Sequence, residues 1–170
     1  FGGEARRRVT ATRRTAVATG RTGATDPPLR LRLVLGDQLD PDGPQLADFD
    51  PARERLLMIE APGEARHVWS HKARIALFLS AMRHFAAEVA ARGLPLTYVA
   101  LDDPAFADAP GLAQRLARVL LATGARELVV VEPGEWRLAR AIEEACAARG
   151  VALQVQPDPH FLCSRAEFAA

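Results

Sequence analysis

The amino-acid sequence predicts an α/β fold, a Rossmann-like three-layer sandwich built on a five-stranded parallel sheet. Short apolar runs alternate with longer helical patterns along the chain, which is the element order of such sheets. Most of these runs are apolar throughout, as expected for strands that are covered on both faces. The chain has 170 residues, of which 49% are hydrophobic, and this is enough for one domain with a substantial core.

The first two predicted strands lie at 30–35 (RLRLVL) and 56–60 (LLMIE), each a compact run of aliphatic residues. Residues 40–54 between them contain DPDGP, which is typical of turns, and they are predicted to be irregular. Residues 61–70 are predicted to form a loop that leads into the first helix.

The first helix is predicted over 71–91, where six apolar residues recur at helical spacing and form one broad face. They are Ile75, Phe78, Leu79, Met82, Phe85 and Val89. Gly93 follows the pattern, as a glycine commonly does at the end of a helix. Residues 96–101 (LTYVAL) predict the third strand.

The rest of the chain repeats this alternation. Helices are predicted at 111–123 and 135–149, and each is followed directly by a glycine. Strands are predicted at 127–131 (ELVVV) and 151–155 (VALQV). Strands separated by helices in this way favour parallel pairing with right-handed crossovers.

The net charge of +1 conceals two regions of opposite sign. Residues 1–30 carry seven arginines against two acidic residues, a net of +5, whereas the remainder carries 15 basic and 19 acidic groups, a net of −4. The arm at 1–29 has no periodic apolar face and is predicted to be disordered. The mildly acidic remainder is a poor main surface for nucleic acid.

Cysteine content and hydropathy argue against a metal site in this segment and against a membrane-spanning protein. Cys146 and Cys163 are far apart and form no CxxC pair, which argues against a zinc or iron–sulfur site in this segment. His67 and His71 have a spacing that can bind a metal on a helix, but no third ligand is visible, so no metal is expected. No apolar run is long enough to span a bilayer.

Polar residues follow the predicted strands, at the edge where parallel sheets bind ligands. Gly36, Asp37 and Gln38 come directly after the first strand, and Glu60 and Glu64 flank the end of the second. A turn and solvated loop acids are the more common explanation of such residues, and ligand contacts are the alternative. There is no GxGxxG or GxxxxGK[ST] motif, and no residue order that indicates a nucleophilic site. From the residues alone, this is a small-molecule-binding α/β domain without visible catalytic residues.

Four motifs, in this order and spacing, resemble the amino-terminal region of the deoxyribodipyrimidine photolyase-related proteins. They are GDQL, EAPGEARHVWSHKARIALFLSAMRHFA, EPGEWR and HFLCSRAEFA, and the resemblance covers about residues 30–170. This family comprises the bacterial iron–sulfur cryptochromes and six-four photolyases. In it, an antenna domain precedes a large helical domain that holds FAD and a 4Fe-4S cluster and binds DNA.

The resemblance implies a pigment and the residues that contact it. The expected cofactor of this domain is 6,7-dimethyl-8-ribityllumazine, which passes excitation to FAD for repair of six-four photoproducts. Gly36, Asp37 and Gln38 match the family's motif beside the pigment, and Glu64 matches an acid that contacts it. His67 stands where a relative has tyrosine. Phe78 stands where a smaller aliphatic residue lines the pocket, so its ring could stack on the lumazine or crowd it out.

The expected organisation follows from the same resemblance. Residues 1–29 form the arm, 30–160 the antenna-binding domain, and 161–170 the start of a linker to a helical FAD and iron–sulfur domain that lies outside this chain. The partners are that helical domain and damaged DNA, bound by a cytoplasmic monomer without membrane contact. Two alternatives remain: a photosensory cryptochrome of the same family, and a free-standing α/β ligand-binding domain without pigment.

Overall fold

A computed structural model describes residues 30–63, 71–163 and 165–168. Five strands form one all-parallel sheet in the order β3-β2-β1-β4-β5. They are β1 (Arg30–Leu33), β2 (Glu54–Ile59), β3 (Leu96–Val99), β4 (Glu127–Val131) and β5 (Ala152–Gln156). The fold class expected from the sequence is therefore confirmed. The predicted arm at 1–29, Glu64 and His67 lie outside the described residues.

Helices cover both faces of the sheet. They are α1 (Lys72–Ala91), α2 (Leu112–Thr123), α3 (Trp136–Ala147) and the short α4 (Arg165–Phe168), with a 3-10 turn at Pro104–Phe106. Helices α2 and α3 pack on one face and form the larger core with alternate residues of the strands. Helix α1 packs on the other face through three buried residues, Met82, Phe85 and Val89.

The irregular segment before β2 covers the sheet beside α1. Arg32, on this face of β1, is 4% exposed. Its guanidinium donates to the carbonyls of Ala47 and Asp48, at 2.6 and 3.1 Å, and to the Glu54 carboxylate at 3.2 Å. The guanidinium carbon Cζ of Arg32 also lies 5.8 Å from the centroid of the Phe49 ring. A buried arginine therefore holds the segment against the sheet and is itself paired with the buried Glu54 carboxylate.

The buried residues of α1 all lie in its second half, although the predicted apolar face ran along its whole length. Leu77 is 72% exposed and Phe78 is 46% exposed. A helix of 20 residues is about 30 Å long, whereas a strand of six residues spans about 20 Å, so α1 extends past the sheet. Because α1 follows β2, its exposed half lies at the carboxyl edge of the sheet, where the β1 loop also lies.

Candidate functional site

The loop after β1 begins with a turn in which the Gln38 amide donates to the Leu35 carbonyl at 3.0 Å. The Gln38 side chain is 9% exposed. Its Nε2 donates to the carbonyls of Val131 and Glu132 at the end of β4, 3.3 Å in each case. Gln38 therefore ties this loop to the neighbouring strand. Its Oε1 is buried and has no hydrogen-bond partner among the described residues.

A second buried amide holds the same loop from the other side. Gln45 is 3% exposed, and its Nε2 donates to the carbonyl of Gln38 at 2.9 Å and also to that of Asp40. Two glutamine side chains thus satisfy four backbone carbonyls in and around one turn, which restricts the loop to one conformation. Asp37 takes no part in these bonds and is exposed.

A cleft of about 590 Å³ opens beside this loop, and we call it the switch-point cleft. It lies between β1 and β4, where the strand order reverses, which is the usual ligand position in open α/β sheets. Its lining comes from the loops after β1, β4 and β5. These residues are Gly36, Asp37, Gln38, Leu39, Asp40, Pro44, Gln45, Val131, Gly134, Asp158, His160 and Phe161.

On its other side, the β1 loop contacts the exposed half of α1. A Cβ atom added to Gly36 would lie 2.4 Å from Cζ of Phe78 and 3.0 Å from the sulfur of Met82. The tip of the Phe78 ring therefore rests directly on the glycine, while nearly half of the residue remains exposed. Glycine at this position allows the ring to approach the backbone this closely.

Replacing Gly36 by alanine is expected to displace the Phe78 ring and to destabilise the domain by about 1–3 kcal/mol. Removing the ring in the double variant Gly36→Ala/Phe78→Ala should abolish most of this penalty, because the new methyl group then has space. Urea unfolding of both single variants and the double variant gives the coupling energy. Additive effects would show that the two residues do not touch.

Glu60, at the end of β2, is 1% exposed and fully occupied by internal hydrogen bonds. Its carboxylate accepts two bonds from Arg83 at 2.7 and 3.0 Å, one from the Tyr98 hydroxyl at 2.6 Å, and one from the Leu101 amide at 2.7 Å. Burial raises the pKa of Glu60, but these hydrogen bonds outweigh it and leave the pKa below its ordinary value. Burial and the bond to Glu60 raise the pKa of Tyr98.

This network changes the interpretation of the acids after β2. The sequence left open whether Glu60 or Glu64 could accept hydrogen bonds from a ligand. Glu60 already accepts four, so it serves the fold and is not available to a bound ring or sugar. Of the two carboxylates considered, Glu64 remains the candidate ligand contact.

Arg115 of α2 fastens the loops after β2 and β3 to each other. It is 2% exposed, and its guanidinium donates to five backbone carbonyls at 2.8–3.4 Å. These carbonyls belong to Glu60, Ala100, Leu101, Phe106 and Ala109. Burial lowers the pKa of Arg115, and Asp103 and Glu60 act in the opposite direction.

The structure brings four of the six site residues predicted from the sequence to one edge: Gly36, Asp37, Gln38 and Phe78. Sequence reasoning did not identify Gln45, nor Asp158, His160 and Phe161 after β5. The rule that ligands bind beyond the carboxyl ends of strands also applied to β5 and could have indicated these last three.

The part of the chain that the structure describes contains no group of three or more His, Cys, Asp or Glu side chains arranged to hold a metal ion. Cys163 is exposed, whereas burial raises the pKa of Cys146 to about 11, so this thiol stays protonated at neutral pH. None of the described helices combines the length and the apolar character that crossing a bilayer needs.

Comparison with known proteins gives two concordant matches. The family model described as deoxyribodipyrimidine photo-lyase-related protein matches residues 32–170. A relative named (6-4) photolyase, from Agrobacterium fabrum (strain C58 / ATCC 33970), is 35% identical over 140 residues. That match covers 82% of this chain but 27% of the relative, so the chain spans about a quarter of the relative's length.

Proposed function

Since this chain belongs to the deoxyribodipyrimidine photo-lyase-related protein family, we propose that it forms the light-harvesting domain of a light-driven DNA repair protein. In this proposal it binds 6,7-dimethyl-8-ribityllumazine at the carboxyl edge of the sheet. The excitation passes to FAD in a separate helical domain, which also holds a 4Fe-4S cluster and repairs six-four photoproducts in DNA. The name of the Agrobacterium relative supports the repair chemistry, and the geometry of the β1 loop supports the pigment site.

One observation carries the proposal for this domain. The loop at the reversal of strand order is held by two buried amides, those of Gln38 and Gln45, and it leaves the Asp37 carboxylate exposed beside a cleft. A rigid loop that presents an exposed acceptor next to a cleft of this volume is typical of a binding site for a small molecule.

The residues of this edge fit a flat, hydroxyl-bearing heterocycle. Phe78 offers a partly exposed ring on which another ring could stack. Asp37 provides a carboxylate for hydroxyl or ring N–H donors, and the buried Gln38 Oε1 is an acceptor that lacks a donor among the described residues. Glu64 is assigned to the ring by its match to the family's motif, and His67 by its place where a relative has tyrosine.

The contribution of this chain is to hold the pigment, which supplies absorption of blue light when bound. Energy transfer depends on the distance and orientation of the two chromophores, so the binding loop must be stiff. Gln38 and Gln45 meet this need by fixing the loop on both sides. No proton transfer by this domain is required.

A free-standing ligand-binding domain without pigment is the second candidate function. The contact between Phe78 and Gly36 favours it, since the ring covers the backbone where a pigment could otherwise lie. In that case, replacing Phe78 by a smaller residue would create pigment binding where the natural protein has none.

The proposal is tested by pigment occupancy in the full-length protein. Glu64→Ala is expected to weaken lumazine binding about tenfold, the loss of one charged hydrogen bond of about 1.4 kcal/mol, while the thermal midpoint of the pigment-free protein stays unchanged. Glu144→Ala, an exposed acid of α3, serves as the matched control and should retain full occupancy. Equal occupancy of all three proteins would remove Glu64 from the site, and no lumazine in the natural protein would reject the proposal.

A further inference from the structure

We infer that the switch-point cleft receives the hydroxylated side chain of the pigment and rejects ligands whose side chain ends in a phosphate. The inference rests on the proposed function and deepens it. It assigns Asp158 and His160, which follow β5, to recognition of the polyol. It also makes the acidic lining of the cleft a determinant of specificity.

The charge of the cleft supports this assignment. Its ionisable lining consists of three carboxylates, from Asp37, Asp40 and Asp158, and the imidazole of His160. His160 Nδ1 lies 2.8 Å from Asp158 Oδ1 and is therefore already paired with an acid. No lysine or arginine is among the described residues that line the cleft.

Such a lining distinguishes an alcohol from its phosphate ester. Hydroxyl groups donate to carboxylates and form charge-assisted hydrogen bonds. A phosphate monoester carries about −1.5 to −2 charges at neutral pH and would be repelled by three carboxylates without a counter-ion. A free polyol therefore suits the cleft, and a terminal phosphate does not.

The helix after β4 lacks the usual features of a phosphate site. In many sheets of this kind, a phosphate binds at the amino terminus of such a helix. Here the N-cap residue of α3 is itself an acid, Glu135, whose carboxylate pairs with Arg137 at 2.9 Å. This carboxylate makes no capping hydrogen bond to the helix, and its negative charge beside the amino terminus disfavours a second anion there.

The cleft and the Phe78 contact meet at one residue. Gly36 lines the cleft and also lies against Phe78, so a ring beside Phe78 and a side chain in the cleft would be joined across Gly36. The volume of about 590 Å³ lies within the usual range for small-molecule sites, about 300–1,000 Å³. Gln38, which is 9% exposed, supplies a buried oxygen that has no partner among the described residues.

The experiment compares two probes that differ only in the phosphate: 6,7-dimethyl-8-ribityllumazine and its 5′-phosphate, each titrated into pigment-free full-length protein. The natural protein is expected to bind the free polyol at least about tenfold more tightly, which corresponds to about 1.4 kcal/mol. Asp158→Asn should reduce this affinity ratio about threefold or more, because the variant binds the phosphate ester more tightly. It removes one of the negative charges that repel the phosphate. Asparagine keeps a side-chain oxygen that can accept a hydrogen bond from the backbone N–H of His160, as Oδ1 of Asp158 does at 2.9 Å.

Asp102→Asn is the matched control, because it removes the same charge from an exposed residue after β3, at the far end of the sheet edge. It should leave the ratio unchanged. If Asp158→Asn does not fold, Asp40→Asn tests the same prediction at an exposed position of the cleft. Equal affinities for the two probes, or a ratio that none of the cleft variants changes, would overturn the inference while the pigment assignment stands. Binding of neither probe would overturn the pigment assignment as well.

Discussion

Replacing Glu60 by glutamine is expected to lower the free energy of unfolding by about 2–4 kcal/mol. This loss and the one expected on replacing Arg115 are the largest at the carboxyl edge of the sheet. The carboxylate accepts from Arg83, Tyr98 and the Leu101 amide, and its side chain has no exposed surface. Glutamine keeps one acceptor oxygen but turns an NH₂ group toward donors, so at least one hydrogen bond becomes a repulsive contact.

The same carboxylate predicts how stability depends on pH. The pKa of Glu60 is lower in the folded protein than the ordinary value near 4.3, so its contribution is complete above that value. The contribution is lost as the pH falls through the lowered pKa, because protonation removes the charge that Arg83 needs. Urea unfolding of the natural protein and Glu60→Gln between pH 7 and 3 should therefore show curves that converge at the acid end.

Glu88→Gln provides the control for this effect, since Glu88 forms an exposed ion pair with Arg92 on α1. Its removal should change the unfolding free energy by about 0.5 kcal/mol or less. A Glu60→Gln protein as stable as this control would show that the network contributes little to the fold.

Replacing Arg115 by methionine is expected to cost about 3–5 kcal/mol, because five carbonyls lose the hydrogen bond that Arg115 donates, and three of them belong to buried residues. Methionine preserves much of the apolar volume of the side chain, so the loss reports on hydrogen bonds rather than on a cavity. The free energy of unfolding of Arg115→Lys should lie between those of the natural protein and Arg115→Met. An ammonium group has three donors but cannot form the same planar fork.

Arg118→Met is the matched control, on the same helix but at the surface. It should leave the denaturant midpoint nearly unchanged. Hydrogen exchange gives an independent measurement, since Arg115→Met should release the loops after β2 and β3 before the sheet itself opens. Unaltered protection in these loops would contradict the role assigned to Arg115.

The sequence predicted the order and type of the main elements because each depends on a local pattern. Most predicted boundaries lie within two residues of the observed ones. The third strand is shorter than predicted because the Ala100 carbonyl accepts from the Asp103 amide and from Arg115, so the chain turns there. The exposure of Phe78 could not be predicted from periodicity, since it depends on the length of α1 relative to the strands beneath it.

The candidate site residues were predicted from two signals, a strand end and the family's motifs. Gly36, Asp37 and Gln38 were singled out because they follow an apolar run, and Phe78 because of the resemblance. Gln45 and Arg115 were not, because their importance comes from carbonyls that are brought to them by the fold. A buried arginine and a solvated arginine look the same in a single sequence, and only the packing of the loops around Arg115 distinguishes them.

The central claim is that this edge of the sheet holds an antenna pigment. Extraction of small molecules from purified full-length protein, followed by mass spectrometry, tests it most directly. The account predicts 6,7-dimethyl-8-ribityllumazine in roughly equimolar amount with the protein, as expected for a single binding site at saturation. A protein that shows the absorption of flavin and of an iron–sulfur cluster, but yields no lumazine on extraction, would contradict the account.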